Sequence, residues 1–362
     1  MQETMIAPDR HGTVYEGEGA LLEVRGLKTH FPARGGVIKA VDGVDLRVDP
    51  GRTLCVVGES GSGKSITAFS ILQLVGRPGQ IVAGEILYRT RSRGVIDLAK
   101  LPPKSNEMRA IRGGEIAMVF QEPMSSLSPV HSIGRQIVEA IRLHFKVTKD
   151  EAREKAIALL RRVDIPRSAE RFDSYVFQLS GGMRQRAMIA MALSCSPRFL
   201  IADEPTTALD VTTQANILAL IKDLQKDFGM AVMLITHDLG VVAESADDVA
   251  VMYLGRVVER GKVRDVFSEP RHPYTRMLLT SIPRLGRARR GERLNSIRGM
   301  VPHPLDRPAG CPFHTRCDSM MPGLCDQRMP ATTVFSDGRT TECLLYEDDV
   351  QARPAARAGL VE

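Results

Sequence analysis

The chain has 362 residues, room for one large or two medium domains with an ample core, and its 43% hydrophobic and 25% charged content is that of an ordinary soluble globular protein. With 49 Lys and Arg against 43 Asp and Glu the formal net charge is +6, but the bases are spread widely, Trp is absent and aromatics rarely interleave with basic clusters. A nucleic-acid platform is therefore weakly supported, and a solvated basic surface is the simpler reading. No stretch approaches the ~18 consecutive apolar residues of a membrane-spanning helix. Residues 1–19 are polar, lack the apolar core of a secretory signal and are expected to be disordered. A role at a membrane would be played from its cytosolic side.

Leu21–Arg25 and Val41–Val48 alternate apolar and polar residues, as half-buried antiparallel strands do. Phe31 lies between them and reads either as a base-stacking aromatic or as a core residue at a strand end. Next comes Thr53–Val57, a short apolar run that leads into Gly58-Glu59-Ser60-Gly61-Ser62-Gly63-Lys64-Ser65 and then into a helical stretch from Ile66 to Leu72. Strand, G-x-x-x-x-G-K-S loop and helix is the context that phosphate binding requires. The glycines let backbone N–H groups converge on phosphate oxygens, the helix start adds positive potential, Lys64 reaches the β/γ-phosphates, and the Ser65 hydroxyl suits Mg²⁺.

From Arg77 to Gly114 a Gly-, Pro- and base-rich stretch around Glu85–Tyr88 and Val95–Leu98 suggests a small β excursion. The run Ile116–Phe120 reads as a buried strand ending at Gln121-Glu122-Pro123. Ile133–Phe145 has helical spacing, and Thr148–Glu151 is a capping box for the helix after it. Two more apolar runs end in charged groups: Phe199–Ala202 at Asp203-Glu204, and Ala231–Thr236 at His237-Asp238. Short apolar runs alternating with helices predict parallel strands buried on both faces, with ligands at their carboxyl ends. That rule draws the Gly58 loop, Gln121, Asp203-Glu204 and His237 into one expected site. Cys55 and Cys195 lie in apolar stretches and read as small core residues.

Leu179-Ser180-Gly181-Gly182-Met183 opens a helix with a Ser cap and two glycines, a second anion-binding design. Here the chain resembles the nucleotide-binding subunits of ABC transporters, whose signature is L-S-G-G-Q; Met183 departs at the last position. The resemblance covers about Leu21 to Val266, with the phosphate loop, Gln121, signature, Asp203-Glu204, Ala208-Leu209-Asp210 and His237 in the family's order. It implies an α/β fold of ABC-type P-loop ATPases: a RecA-like, mainly parallel sheet with an antiparallel β subdomain and a helical subdomain, over residues 20–266. It also implies ATP as substrate, with Ser65, Gln121 and Asp203 on Mg²⁺, Glu204 polarising the attacking water and His237 at the γ-phosphate. Ser180, Gly181 and Gly182 would reach the ATP of a partner subunit in a head-to-tail pair, and Asp210 would link the two sites. Phosphoryl transfer asks for this division of labour: charge neutralisation and an in-line water more than covalent help. No Asn-Lys-x-Asp guanine motif is present, and residues 66–178 hold no sustained heptads of a chromosome-maintenance ATPase.

Beyond Val266, Ser268–Thr275 and the Met277–Leu279 helix resemble the end of peptide importer ATPases, giving an expected C-terminal domain over residues 267–347. Arg284–Arg298 reads as a basic linker, and 348–362 as a disordered tail. Cys311, Cys317, Cys325 and Cys343 gather in a Pro- and Gly-rich segment whose thin core needs a staple. Four thiolates suit tetrahedral Zn²⁺ or an iron–sulfur cluster, though the paired C-x-x-C knuckles usual for zinc are absent, and a segment without metal is the third alternative. The Gly310–Cys317 segment resembles that of oligopeptide and dipeptide importer ATPases, which implies a [4Fe–4S] cluster. The resemblance further implies two membrane-spanning permease subunits, a second homologous ATPase and an extracytoplasmic solute-binding protein as partners, at the cytoplasmic face of the membrane. A soluble ABC-type ATPase acting on nucleic acid or ribosomes is the rival, and would usually carry two cassettes where this chain has one. A cluster-bearing sensor is a third reading, resting on the cysteines alone.

Overall fold

A computed structural model describes residues 19–122, 126–207, 209–281 and 299–347. Pro123, Ala208, the basic linker and most of the two expected disordered ends lie outside the described residues. By their contacts the residues fall into two units, each discontinuous in sequence.

One unit is built from residues up to Val24, Leu46–Thr53 and Glu85–Leu234. In it, strands β4 (Gln80–Thr90, its second half) and β5 (Gly94–Asp97) form an antiparallel hairpin, with Tyr88 opposite Ile96. Helix α2 (Asn106–Ile111) follows, capped by Ser105, whose hydroxyl accepts the Met108 N–H at 3.2 Å. Strand β6 (Ile116–Val119) then pairs in parallel with β7 (Phe199–Asp203), Ile116 opposite Phe199 and Val119 opposite Ala202. Both strands are buried along their whole length, as a continuous apolar run demands when both faces of a sheet are covered. Between them in sequence stand α3 (Ile133–His144), α4 (Lys149–Arg162), the short α5 (Ser168–Arg171) and α6 (Gly181–Ala192). The expected capping box is formed: the Thr148 hydroxyl accepts the Glu151 N–H at 3.3 Å and the Glu151 carboxylate accepts the Thr148 N–H at 2.7 Å. Helix α7 (Val211–Phe228) ends on Gly229 at φ 61, the left-handed turn that glycine takes without strain. It leads to β8 (Ala231–Ile235), next to β7 in the sheet.

The other unit holds Arg25–Asp45, Leu54–Gly84 and the chain from Ile235 on. Strands β1 (Leu22–Ala33) and β2 (Gly36–Val48) are neighbours, longer than the alternation at Leu21–Arg25 suggests because pairing across a tight turn carries it on. Phe31 is half-buried; its ring lies over Gly79, where an added Cβ would stand 2.3 Å from it. Strand β3 (Thr53–Val57) pairs in parallel with β9 (Asp248–Tyr253), and α1 (Lys64–Ile71) follows the loop after it. After α8 (Leu239–Ser245), β9 turns into antiparallel β10 (Arg256–Lys262), α9 (Val263–Ser268) and α10 (Pro273–Thr280). Two-residue strands β11 (Thr333–Val334) and β12 (Thr340–Thr341) extend this edge, Glu259 opposite Thr341. Arg256 clamps the C-terminal segment with two bonds to the Glu342 carboxylate, 2.6 and 2.9 Å. Cys55 and Cys195 are buried, and burial pushes both thiols up in pKa, as small core residues should behave. Among the described residues no helix is long and apolar enough to cross a membrane.

Candidate functional site

The phosphate loop takes the shape its glycines permit. Gly58, Gly61 and Gly63 stand at φ 151, 78 and 100, and a Cβ at Gly58 would lie 2.2 Å from the Met252 carbonyl, one at Gly63 2.3 Å from the Ala40 carbonyl. Only glycine lets the loop press this closely on its surroundings. Gly63 is the cap position of α1, so the first turn points its N–H groups into the loop. Lys64 is buried and its ammonium donates to the Gly58 and Glu59 carbonyls at 2.8 and 3.0 Å, arching along the loop. The Ser62 hydroxyl is buried, with no hydrogen-bond partner among the described residues, inside a loop made to receive polar oxygens. Ser60 and Gly61 are exposed, and Ser65 is half-buried. His237, just past β8 in the same unit, is exposed; the following Asp238 caps α8 by accepting the Gly240 N–H at 2.8 Å.

In the other unit the acids stand where the apolar strand ends. Asp203 is the last, buried residue of β7, whereas Glu204 has left the strand at φ 44, a conformation uncommon outside glycine. Such strain concentrates at working residues. The Glu204 carboxylate accepts from the Gln121 amide at 3.1 Å and from the Thr207 hydroxyl at 2.8 Å through the same oxygen. Gln121 and Glu204, 83 residues apart, are thus joined by a hydrogen bond. Thr207 escaped the sequence reading; its offset of three from a loop acid is the only signal.

The signature segment opens α6 as predicted, the Ser180 hydroxyl accepting the Met183 N–H at 3.4 Å. Its glycines pack on the start of α7: a Cβ at Gly182 would meet Thr213 at 3.0 Å, one at Gly181 Leu209 at 3.7 Å. Asp210 caps α7 through both carboxylate oxygens, to the Thr213 N–H at 2.9 Å and hydroxyl at 2.7 Å. Those bonds hold its carboxyl below the usual range.

Residues near the loop that sequence reasoning missed come from the C-terminal segment. The Glu59 N–H donates to the Tyr274 hydroxyl at 3.0 Å, and the Glu59 carboxylate takes two bonds from Arg316. His272 caps α10, its Nδ1 accepting the Tyr274 N–H at 3.0 Å, and complete burial lowers its pKa to about 3.

For Cys311, Cys317, Cys325 and Cys343 the expected metal centre is not found among the described residues. The donor chemistry fits: four soft sulfurs share one segment, close enough that Cys343 feels the charge of the other three. Their spacing does not: among the described residues no three His, Cys, Asp or Glu side chains stand close enough to hold a metal ion, so the [4Fe–4S] cluster and its zinc alternative find no support. Burial raises Cys311 to about 11 and Cys343 to about 12, and raises Cys317 as well.

Comparison with known families matches residues 41–207 to the ABC transporter family and residues 258–325 to the family described as oligopeptide/dipeptide transporter, C-terminal region. The oligopeptide transport ATP-binding protein AppD of Bacillus subtilis is 50% identical over 332 residues, 91% of this chain and 98% of that one. The dipeptide transport ATP-binding protein DppD of Escherichia coli is 45% identical over 330 residues, again 91% and 98%. Among solved structures, a dimeric ATP-binding cassette in a post-hydrolysis state, bound to ADP and Pi, aligns with a TM-score of 0.59 at 27% identity. The alignment covers 67% of this chain and 99% of that cassette, and gives this chain the ABC ATPase fold.

Proposed function

Because this chain belongs to the ATP-binding subunits of ABC transporters, we propose that the ATP it hydrolyses powers the import of peptides. The observation that carries this reading is a chain that matches the ABC transporter family over residues 41–207 and the oligopeptide/dipeptide transporter C-terminal region over residues 258–325. ATP would lie with its phosphates on Gly58–Ser65, neutralised by Lys64 and the loop N–H groups. Ser65, Gln121 and Asp203 would hold Mg²⁺, which supplies charge neutralisation between the phosphates. Glu204 would take the proton of the attacking water, oriented by Gln121 and Thr207, and His237 would bond the γ-phosphate. A second, homologous ATPase would offer its own Ser180-type segment to this nucleotide, and this chain's Ser180, Gly181 and Gly182 would serve the partner's.

On this reading the subunit sits at the cytoplasmic face of the membrane against two permease subunits, with an extracytoplasmic binding protein delivering the peptide. The partner assignment is tested by purifying the Glu204→Gln variant from detergent-solubilised native membranes in ATP and Mg²⁺. Two polytopic membrane proteins and a second ATPase are expected to accompany it; only ribosomal or nucleic-acid material would overturn the transporter reading.

A further inference from the structure

The second residue of the phosphate loop carries a carboxylate, the wrong charge beside a polyphosphate. In this chain that charge is answered from far away. Arg316 donates through Nη1 and Nη2 to the two oxygens of Glu59 at 2.7 and 3.0 Å, across 257 residues of sequence. The fork is two-pronged, the geometry in which a guanidinium binds a carboxylate best. The Arg316 side chain is 3% exposed, that of Glu59 27%. Arg316 is also aimed: its Nη1 lies 3.4 Å from the Tyr253 hydroxyl, and the rings of Tyr253, Tyr274 and Phe313 pack on one another with centroids 4.8 to 5.3 Å apart. From the same cluster the Tyr274 hydroxyl holds the Glu59 backbone N–H.

We infer that Arg316 is a positioning residue for nucleotide binding, acting through Glu59. It draws the carboxylate aside and offsets its charge, so that the loop offers N–H groups and Lys64 to the phosphates without a repelling neighbour. The inference rests on the nucleotide reading of the loop given above. It makes the C-terminal segment between Cys311 and Cys317 part of the ATP-binding apparatus.

The test is equilibrium binding of a fluorescent ATP analogue with Mg²⁺ to the full chain, alongside thermal unfolding. Arg316→Met should weaken binding about tenfold. Adding Glu59→Gln to that variant should recover most of the loss, because the unpaired carboxylate is gone, even if the double variant melts as low as the single. A folded Arg316→Met with wild-type affinity would overturn the inference, and so would a double variant as weak as the single, which is what a purely structural role predicts. If Arg316→Met does not fold, Arg316→Lys carries the same comparison: a several-fold loss restored by Glu59→Gln supports positioning, and unchanged affinity refutes it. Binding lost in Lys64→Ala but indifferent to Arg316 sinks this inference alone. No binding by the wild-type chain would sink the nucleotide reading with it.

Discussion

Gly63 shows how little latitude a single residue of the loop has. Its φ of 100 is unfavourable for any L side chain, and a Cβ would collide with the Ala40 carbonyl at 2.3 Å. Gly63→Ala should therefore cost on the order of 2 kcal/mol in strain alone and lower ATP affinity sharply, read by thermal unfolding and nucleotide titration. Glu204 is constrained differently, by a left-handed backbone and two donors on one carboxylate oxygen. Glu204→Gln keeps the shape and removes the base. Turnover is expected to fall by roughly 10²–10⁴ while ATP still binds, in a phosphate-release assay run beside the binding titration. Thr207→Val, which leaves the acid and takes one of its donors, should lower turnover less than Glu204→Gln and leave ATP affinity in place.

At the scale of elements, α10 is tied to strand β10 by groups whose protonation matters. The His272 and Arg271 N–H groups both donate to the Glu259 carboxylate, at 2.9 and 2.7 Å, while the His272 ring accepts from Tyr274. A protonated His272 would point N–H at N–H. Its folded pKa of about 3 lies below the ordinary 6.5, so between those values the unfolded chain binds the extra proton and stability falls with acid. The contribution is complete above pH 6.5 and, at pH 5, is down by about 2 kcal/mol. Buried Glu259 and Glu342, both raised, act in the opposite sense and blunt the net slope. The clean observable is thus a difference: from pH 7.5 to 5 the melting temperature of the wild type should drop a few degrees more than that of His272→Gln.

Across the whole molecule, what the sequence disclosed was local chemistry. The phosphate loop, the Ser180 cap and the capping box at Thr148 are each specified by neighbours in sequence and form as written. Strands β6 and β7 were readable because burial on both faces leaves an unbroken apolar run, and their parallel pairing followed from the helices between. Long-range partners left no such trace. Nothing about Glu59 or Arg316 alone announces a bidentate pair, and the two-residue β12 is too short to show a period. The left-handed Glu204 is invisible because it is a tertiary constraint on a residue with no preference for it. The cysteines were over-read for the opposite reason: composition and resemblance brought four donors together, while the folded segment holds them as neighbours without metal-like spacing.

If Glu204 is the base for the ATP hydrolysis that drives peptide import, removing it must stop transport in the cell. The direct measurement is uptake of a radiolabelled short peptide by native cells whose only copy of this chain carries Glu204→Gln, with its level checked in the membrane fraction. Normal abundance with abolished uptake is expected. Uptake at the wild-type rate would contradict it.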